Sequence, residues 1–111
     1  MVSMKDKGIL LQIVKRCNRI TDKISVITQE DFNKNEDVKE VICFNLFQIG
    51  ELANGLSEEF VKEYRGIPGK QIIGMRHRIV HGYDTINLDI VWNTAVDSIP
   101  SLKEYCNNII E

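Results

Sequence analysis

Both histidines of this 111-residue chain and two of its arginines fall within Met75-Arg76-His77-Arg78-Ile79-Val80-His81-Gly82-Tyr83. A histidine has an unperturbed pKa of about 6.5, so His81 can take or give a proton near neutral pH. Arg76 stays cationic and offers a planar fork of donors suited to phosphate oxygens. Together they fit phosphoryl chemistry on a substrate with a 2'-hydroxyl, in which histidine moves the proton and arginine neutralises charge growing on the phosphorus-bound oxygens. That chemistry needs no metal. The order of the residues is Arg76-x4-His81-x-Tyr83.

Two other uses of the same residues stay open. His77 and His81 stand four apart, a spacing that can chelate a transition metal. Against that, no third ligand sits at a telling distance, and the surrounding cations oppose a metal. Arg76 and His81 can also simply serve the orphan carbonyls at a helix C-terminus.

Positions five apart on a helix are about 140° apart around its axis, so Arg76 and His81 do not share a helical face. Gly82 resolves this as a helix stop, leaving His81 in the last turn and able to swing. The expected setting is a helix C-terminus lining a cleft. The predicted carrier helix spans Lys70 to about Val80, with Ile72, Ile73, Met75, Ile79 and Val80 as its apolar contacts.

With 43% hydrophobic and 27% charged residues, the chain (1–111) suits one globular domain with a single core. Its apolar runs are as short as Gly8-Ile9-Leu10-Leu11, and its first residues do not follow a charged-then-apolar signal pattern. The expectation is a cytoplasmic protein without a membrane span. Cys17, Cys43 and Cys106 are far apart and beside helical patterns, which predicts buried free thiols. The net charge of −2 argues at first against nucleic acid. Its distribution points the other way. Arg65, Lys70, Arg76 and Arg78 lie in a stretch from Arg65 to Tyr83 that contains no Asp or Glu, so positive charge gathers where the candidate site is.

In chain order, apolar residues at three-four spacing from Ile9 to Ile24 predict an amphipathic helix over Lys5 to about Ile27, with Lys15, Arg16, Arg19 and Lys23 on its solvated side. Thr28 to Asn35 has no sustained apolar period and reads as a polar connection. A second long helix is predicted from Glu36 or Asp37 to Leu56, acidic at its start as the macrodipole prefers. Phe44 and Phe47 widen its apolar stripe toward the fold or a second copy of the chain, and Asn45, Gln48 and Glu51 read as structural support. Ser57 caps a short helix toward Tyr64, after which Gly66, Pro68 and Gly69 break the chain. Asn87 caps a final helix through Ile109, with a kink or break expected near Ile99 because Pro100 lacks a backbone donor. The predicted fold is all-α, a small up-and-down helical bundle of three long helices and one or two short ones.

The run Ile67-Pro68 … Ile72-Ile73-Gly74-Met75-Arg76-His77-Arg78-Ile79-Val80-His81-Gly82-Tyr83, followed by Ile86 to Trp92, resembles the HepT-like group of the HEPN superfamily, as does Gln48-Ile49-Gly50-Glu51-Leu52-Ala53. The resemblance spans nearly the whole chain. It implies a helical bundle that dimerises, bringing two copies of the motif into one cleft, and acts on RNA as a metal-independent endoribonuclease without a cofactor. It further implies a toxin whose partner is a minimal nucleotidyltransferase antitoxin. Carried over by position, Arg76 and His81 would be catalytic, and Tyr83 would be the hydroxyl that the partner adenylylates. His77 stands where relatives commonly have Asn, and with Arg78, Lys70 and Arg65 it is expected to support substrate binding. Gly69 departs from the aromatic often found after the proline. The other reading is a non-catalytic helical module that binds a nucleotidyltransferase or its nucleotide. A twofold axis has a physical attraction of its own, since it supplies one His81 to take a proton and another to give one.

Overall fold

The computed structural model describes residues 2–67 and 87–111. Among these, every regular element is helical. α1 (Met4–Ile24) begins at Ser3, whose hydroxyl accepts the Asp6 backbone N–H at 3.1 Å. Its buried residues Leu10, Ile13, Cys17 and Ile20 recur at helical spacing and make one continuous stripe. α3 (Glu36–Asn54) begins at Asn35, which accepts the Val38 N–H, and lays Ile42, Leu46 and Ile49 against that stripe. Arg16 meets Asn45, and Ile9 approaches Gly55, so α1 and α3 run antiparallel. α6 (Ile99–Ile110) supplies Ile99, Leu102 and Cys106 to the same core. α1 is the shared element, packed along both α3 and α6.

Three shorter α-helices also lie among the described residues: α2 (Gln29–Lys34), α4 (Glu58–Glu63) and α5 (Leu88–Asn93). α2 corrects the expectation of a polar connection. Thr28 and Asp31 form a reciprocal capping box, and Phe32 is fully buried, so two caps and one aromatic hold a helix too short to show a period. α1 and α3 end at Ile24 and Asn54, a few residues short of the expected Ile27 and Leu56.

Of the kink or break expected near Ile99, the break is corrected. The chain stays helical from Leu88 to Ile110, and a π-helical turn (Thr94–Ser98) precedes Pro100. The Ile99 N–H reaches back five residues to the Thr94 carbonyl. This wider turn accommodates a proline ring that would otherwise press on the carbonyl four residues before it. Thr94 anchors the turn by donating its hydroxyl to the Ile90 carbonyl at 2.7 Å, and the Ser101 hydroxyl serves the Asp97 carbonyl.

Asn45 bears out its structural reading. It is buried, donates to the Val41 carbonyl at 2.8 Å and accepts from Arg16 at 3.2 Å. The Arg16 guanidinium also lies 5.6 Å from the centre of the Phe44 ring, which is 53% exposed. Phe44 is thus not part of the monomer's core. No helix among the described residues is long and apolar enough to cross a membrane.

Candidate active site and its frame

Of the residues singled out for chemistry, Arg65 alone is in the described part of the chain. It is exposed, and its Nε donates to the Lys62 carbonyl at 3.3 Å, closing the last turn of α4. Lys70, Arg76, His77, Arg78, His81 and Tyr83 lie outside the described residues, as do Gly69 and the predicted Lys70–Val80 helix. What the structure defines is the frame from which residues 68–86 start and to which they return.

Upstream, α4 is fastened at both ends. Its N-cap Ser57 accepts the Phe60 N–H and is itself gripped by Asp6 of α1. The Ser57 backbone N–H donates to Asp6 Oδ1 at 2.9 Å, and the Ser57 hydroxyl donates to Oδ2 at 2.6 Å. The Ser3 hydroxyl donates to the same Oδ2 at 3.0 Å. Asp6 is only 2% exposed, yet its pKa lies below the ordinary 3.8, chiefly because the Ser57 hydroxyl donates to the charged form. Burial pushes the other way. The Ser57 backbone N–H and Ser3 add to the lowering, as does the charge of Lys5. The middle of α4 is seated by buried Phe60, stacked on Tyr64 with ring centres 4.8 Å apart. Just past the helix, the Gly66 N–H donates to the Tyr105 hydroxyl of α6 at 3.1 Å.

Downstream, Asn87 accepts the Asp89 and Ile90 N–H groups and so starts α5. Gln29 of α2 donates to Asp89 at 2.6 Å. Within the next turn Val91 is fully buried and Trp92 meets Phe32 of α2 with ring centres 5.4 Å apart.

Charge is uneven over this frame. The cleft between the starts of α1 and α4 is lined by Asp6, Glu58, Glu59 and Glu63, a setting that repels phosphate. The sequence that follows α4, from Arg65 to Tyr83, contains no Asp or Glu. The cysteines do not compete for a chemical role. All three are buried free thiols, and burial pushes Cys17 up to about 12 and Cys43 and Cys106 up to about 11, which keeps them protonated at neutral pH. Sequence reasoning did not find Asp6 or Tyr105. Ser3-x-x-Asp6 carries the spacing of a helix start, but nothing in it points to Ser57.

Residues 10–109 match the family described as HepT-like, ribonuclease HepT-like. The chain belongs to this family. It is 30% identical over 102 residues to a protein of Caldanaerobacter subterraneus subsp. tengcongensis named "Putative RNase", covering 92% of this chain and 91% of the relative. It is 27% identical over 97 residues to "Probable ribonuclease HepT" of Thermococcus cleftensis, covering 87% and 88% of the two chains. A "Putative RNase" of Methanocaldococcus jannaschii is 27% identical over 99 residues, covering 88% and 82%. No solved structure matches the chain. Membership in the HepT-like family supports a ribonuclease function and, with it, an RNA substrate.

Proposed function

We propose that this HepT-like protein is a metal-independent endoribonuclease, with Arg76 and His81 as its catalytic residues. The observation that carries the reading is the family match over residues 10–109, a range that includes Arg76-x4-His81-x-Tyr83 in a basic, acid-free stretch. His81 takes the proton of a ribose 2'-hydroxyl. The freed oxygen attacks the adjacent phosphorus, the bond to the 5'-oxygen breaks, and that oxygen leaves with a proton. The products are a 2',3'-cyclic phosphate and a 5'-hydroxyl end. Arg76 stabilises the extra negative charge on the non-bridging oxygens during the displacement.

One histidine cannot hold and release both protons at once, which favours a twofold homodimer whose cleft receives His81 from each chain. Exposed Phe44 on α3 and Leu11 on α1, 53% and 52% accessible, offer apolar surface that a second copy can cover. His77, Arg78, Lys70 and Arg65 would hold the RNA backbone beside the motif. In this reading the protein works in the cytoplasm as the toxin of a pair. A minimal nucleotidyltransferase antitoxin silences it by attaching AMP to Tyr83. The added phosphate sits two residues from His81, where it competes with RNA for the same cations.

The test is cleavage of an RNA oligonucleotide by purified protein in excess chelator, with end-group analysis. Cyclic phosphate ends formed without metal support the mechanism. Cleavage that needs an added divalent metal refutes it, and no cleavage under any condition favours a non-catalytic partner of the nucleotidyltransferase. Intact mass and peptide mapping after incubation with that enzyme and ATP address Tyr83 separately.

A further inference from the structure

The upstream end of the 68–86 stretch is held by two groups that belong to neither the motif nor the apolar core. Asp6 is a buried carboxylate fifty-one residues from Ser57 in sequence, and both of its oxygens are occupied by the N-cap of α4. Tyr105 is thirty-nine residues from Gly66 and accepts the backbone N–H that follows α4. The fit at Gly66 is tight. A Cβ at this position would run into the Tyr105 ring, so glycine is what lets the phenol reach the backbone.

We propose that Asp6 and Tyr105 are positioning residues for the catalytic segment: by tethering the start and the exit of α4 to α1 and α6, they fix the point from which the chain sets out toward Arg76 and His81. Gly66 lies ten residues before Arg76, so the tether is proposed to act through the intervening chain. The proposal rests on the ribonuclease reading. Its physical basis is that phosphoryl transfer depends on alignment, and a misplacement of about 1 Å can cost about a hundredfold in rate. An unfastened α4 would lower turnover more than RNA affinity, because of the cations assigned to RNA only Arg65 lies on the tethered stretch itself.

Tyr105→Phe keeps the ring and removes the accepting oxygen, and Gly66→Ala pushes the phenol away. Each is expected to lower kcat on an RNA oligonucleotide by at least about tenfold, with a clearly smaller change in KM. The double variant should be no worse than either single, because both break one link. Asp6→Asn should show the same kcat-weighted loss, and Tyr105→Phe keeps the test decisive if Asp6→Asn does not fold. A purely structural role predicts instead that activity falls only with the folded fraction measured by circular dichroism. Folded Tyr105→Phe and Gly66→Ala with wild-type kcat overturn the proposal. If the wild-type protein cuts no RNA, the ribonuclease reading fails on its own, and amide hydrogen exchange then judges the tether. Faster exchange across residues 66–86 in Tyr105→Phe, with α1 and α3 unchanged, upholds it, and identical exchange overturns it.

Discussion

The chain approaches residues 68–86 and leaves them in different ways. The upstream end is a six-residue helix seated on one buried aromatic, Phe60, and fastened before and just past it through polar groups, Asp6 to Ser57 and Tyr105 to Gly66, with exposed Arg65 beside it. The downstream end runs within one turn of Asn87 into the interior, where Val91 is fully buried and Trp92 packs on Phe32. Polar tethers contribute little net stability each but fix direction. Apolar packing contributes far more and is not directional. On the proposal made above, the upstream tethers aim the segment and the downstream packing holds its far end in the fold, and substitutions should separate these roles.

The largest stability effect is expected downstream. Phe32→Ala empties a fully buried site against Trp92 and should cost about 3–5 kcal/mol in urea unfolding. Turnover per folded molecule should change little. If Phe32→Ala costs under about 1 kcal/mol, the downstream end is not the structural one.

Upstream, Asp6→Asn replaces an accepting oxygen by a donor facing Ser57 and should cost about 1–3 kcal/mol near neutral pH. Its pH dependence has a definite sign. The Asp6 pKa is lowered on folding, so its contribution is present above the unfolded value of 3.8 and is lost as pH falls through the lower folded value. Stability curves of wild type and Asp6→Asn should therefore converge below about pH 4. Parallel curves down to pH 2 would show that Asp6 is not the group responsible.

A smaller effect is expected at the return of the chain. Asn87→Ala leaves the Asp89 and Ile90 N–H groups without their cap and should cost about 1 kcal/mol. Because Asn87 starts α5 and does not direct the upstream end, kcat should hold. A kcat loss in Asn87→Ala as large as that in Tyr105→Phe would erase the distinction between the two ends.

The long helices were legible because each buries a stripe at helical spacing, as Leu10, Ile13, Cys17 and Ile20 do. The Ser57 and Asn87 caps were legible because capping is local chemistry. α2 was not, since six residues with a single buried Phe32 give no period to count. Pro100 announced a disturbance but not its form, because a widened turn and a break answer the same missing donor. The candidate site was readable as residue chemistry in Arg76, His81 and Tyr83, all outside the described residues. Its tethers were not. The Asp6–Ser57 and Gly66–Tyr105 pairs join residues far apart in sequence, and spacing carries information only about neighbours on one element.

Single-turnover cleavage of RNA by wild type, Arg76→Ala and His81→Ala in chelator tests most directly whether Arg76 and His81 carry the proposed activity. The melting curves of the three proteins should be compared first to establish equal folding. His81→Ala should abolish cleavage. Arg76→Ala should lose more than about two to three decades of rate, because the proposed dimer would lose both copies of a positioned donor. Wild-type rates in either folded variant would contradict the account.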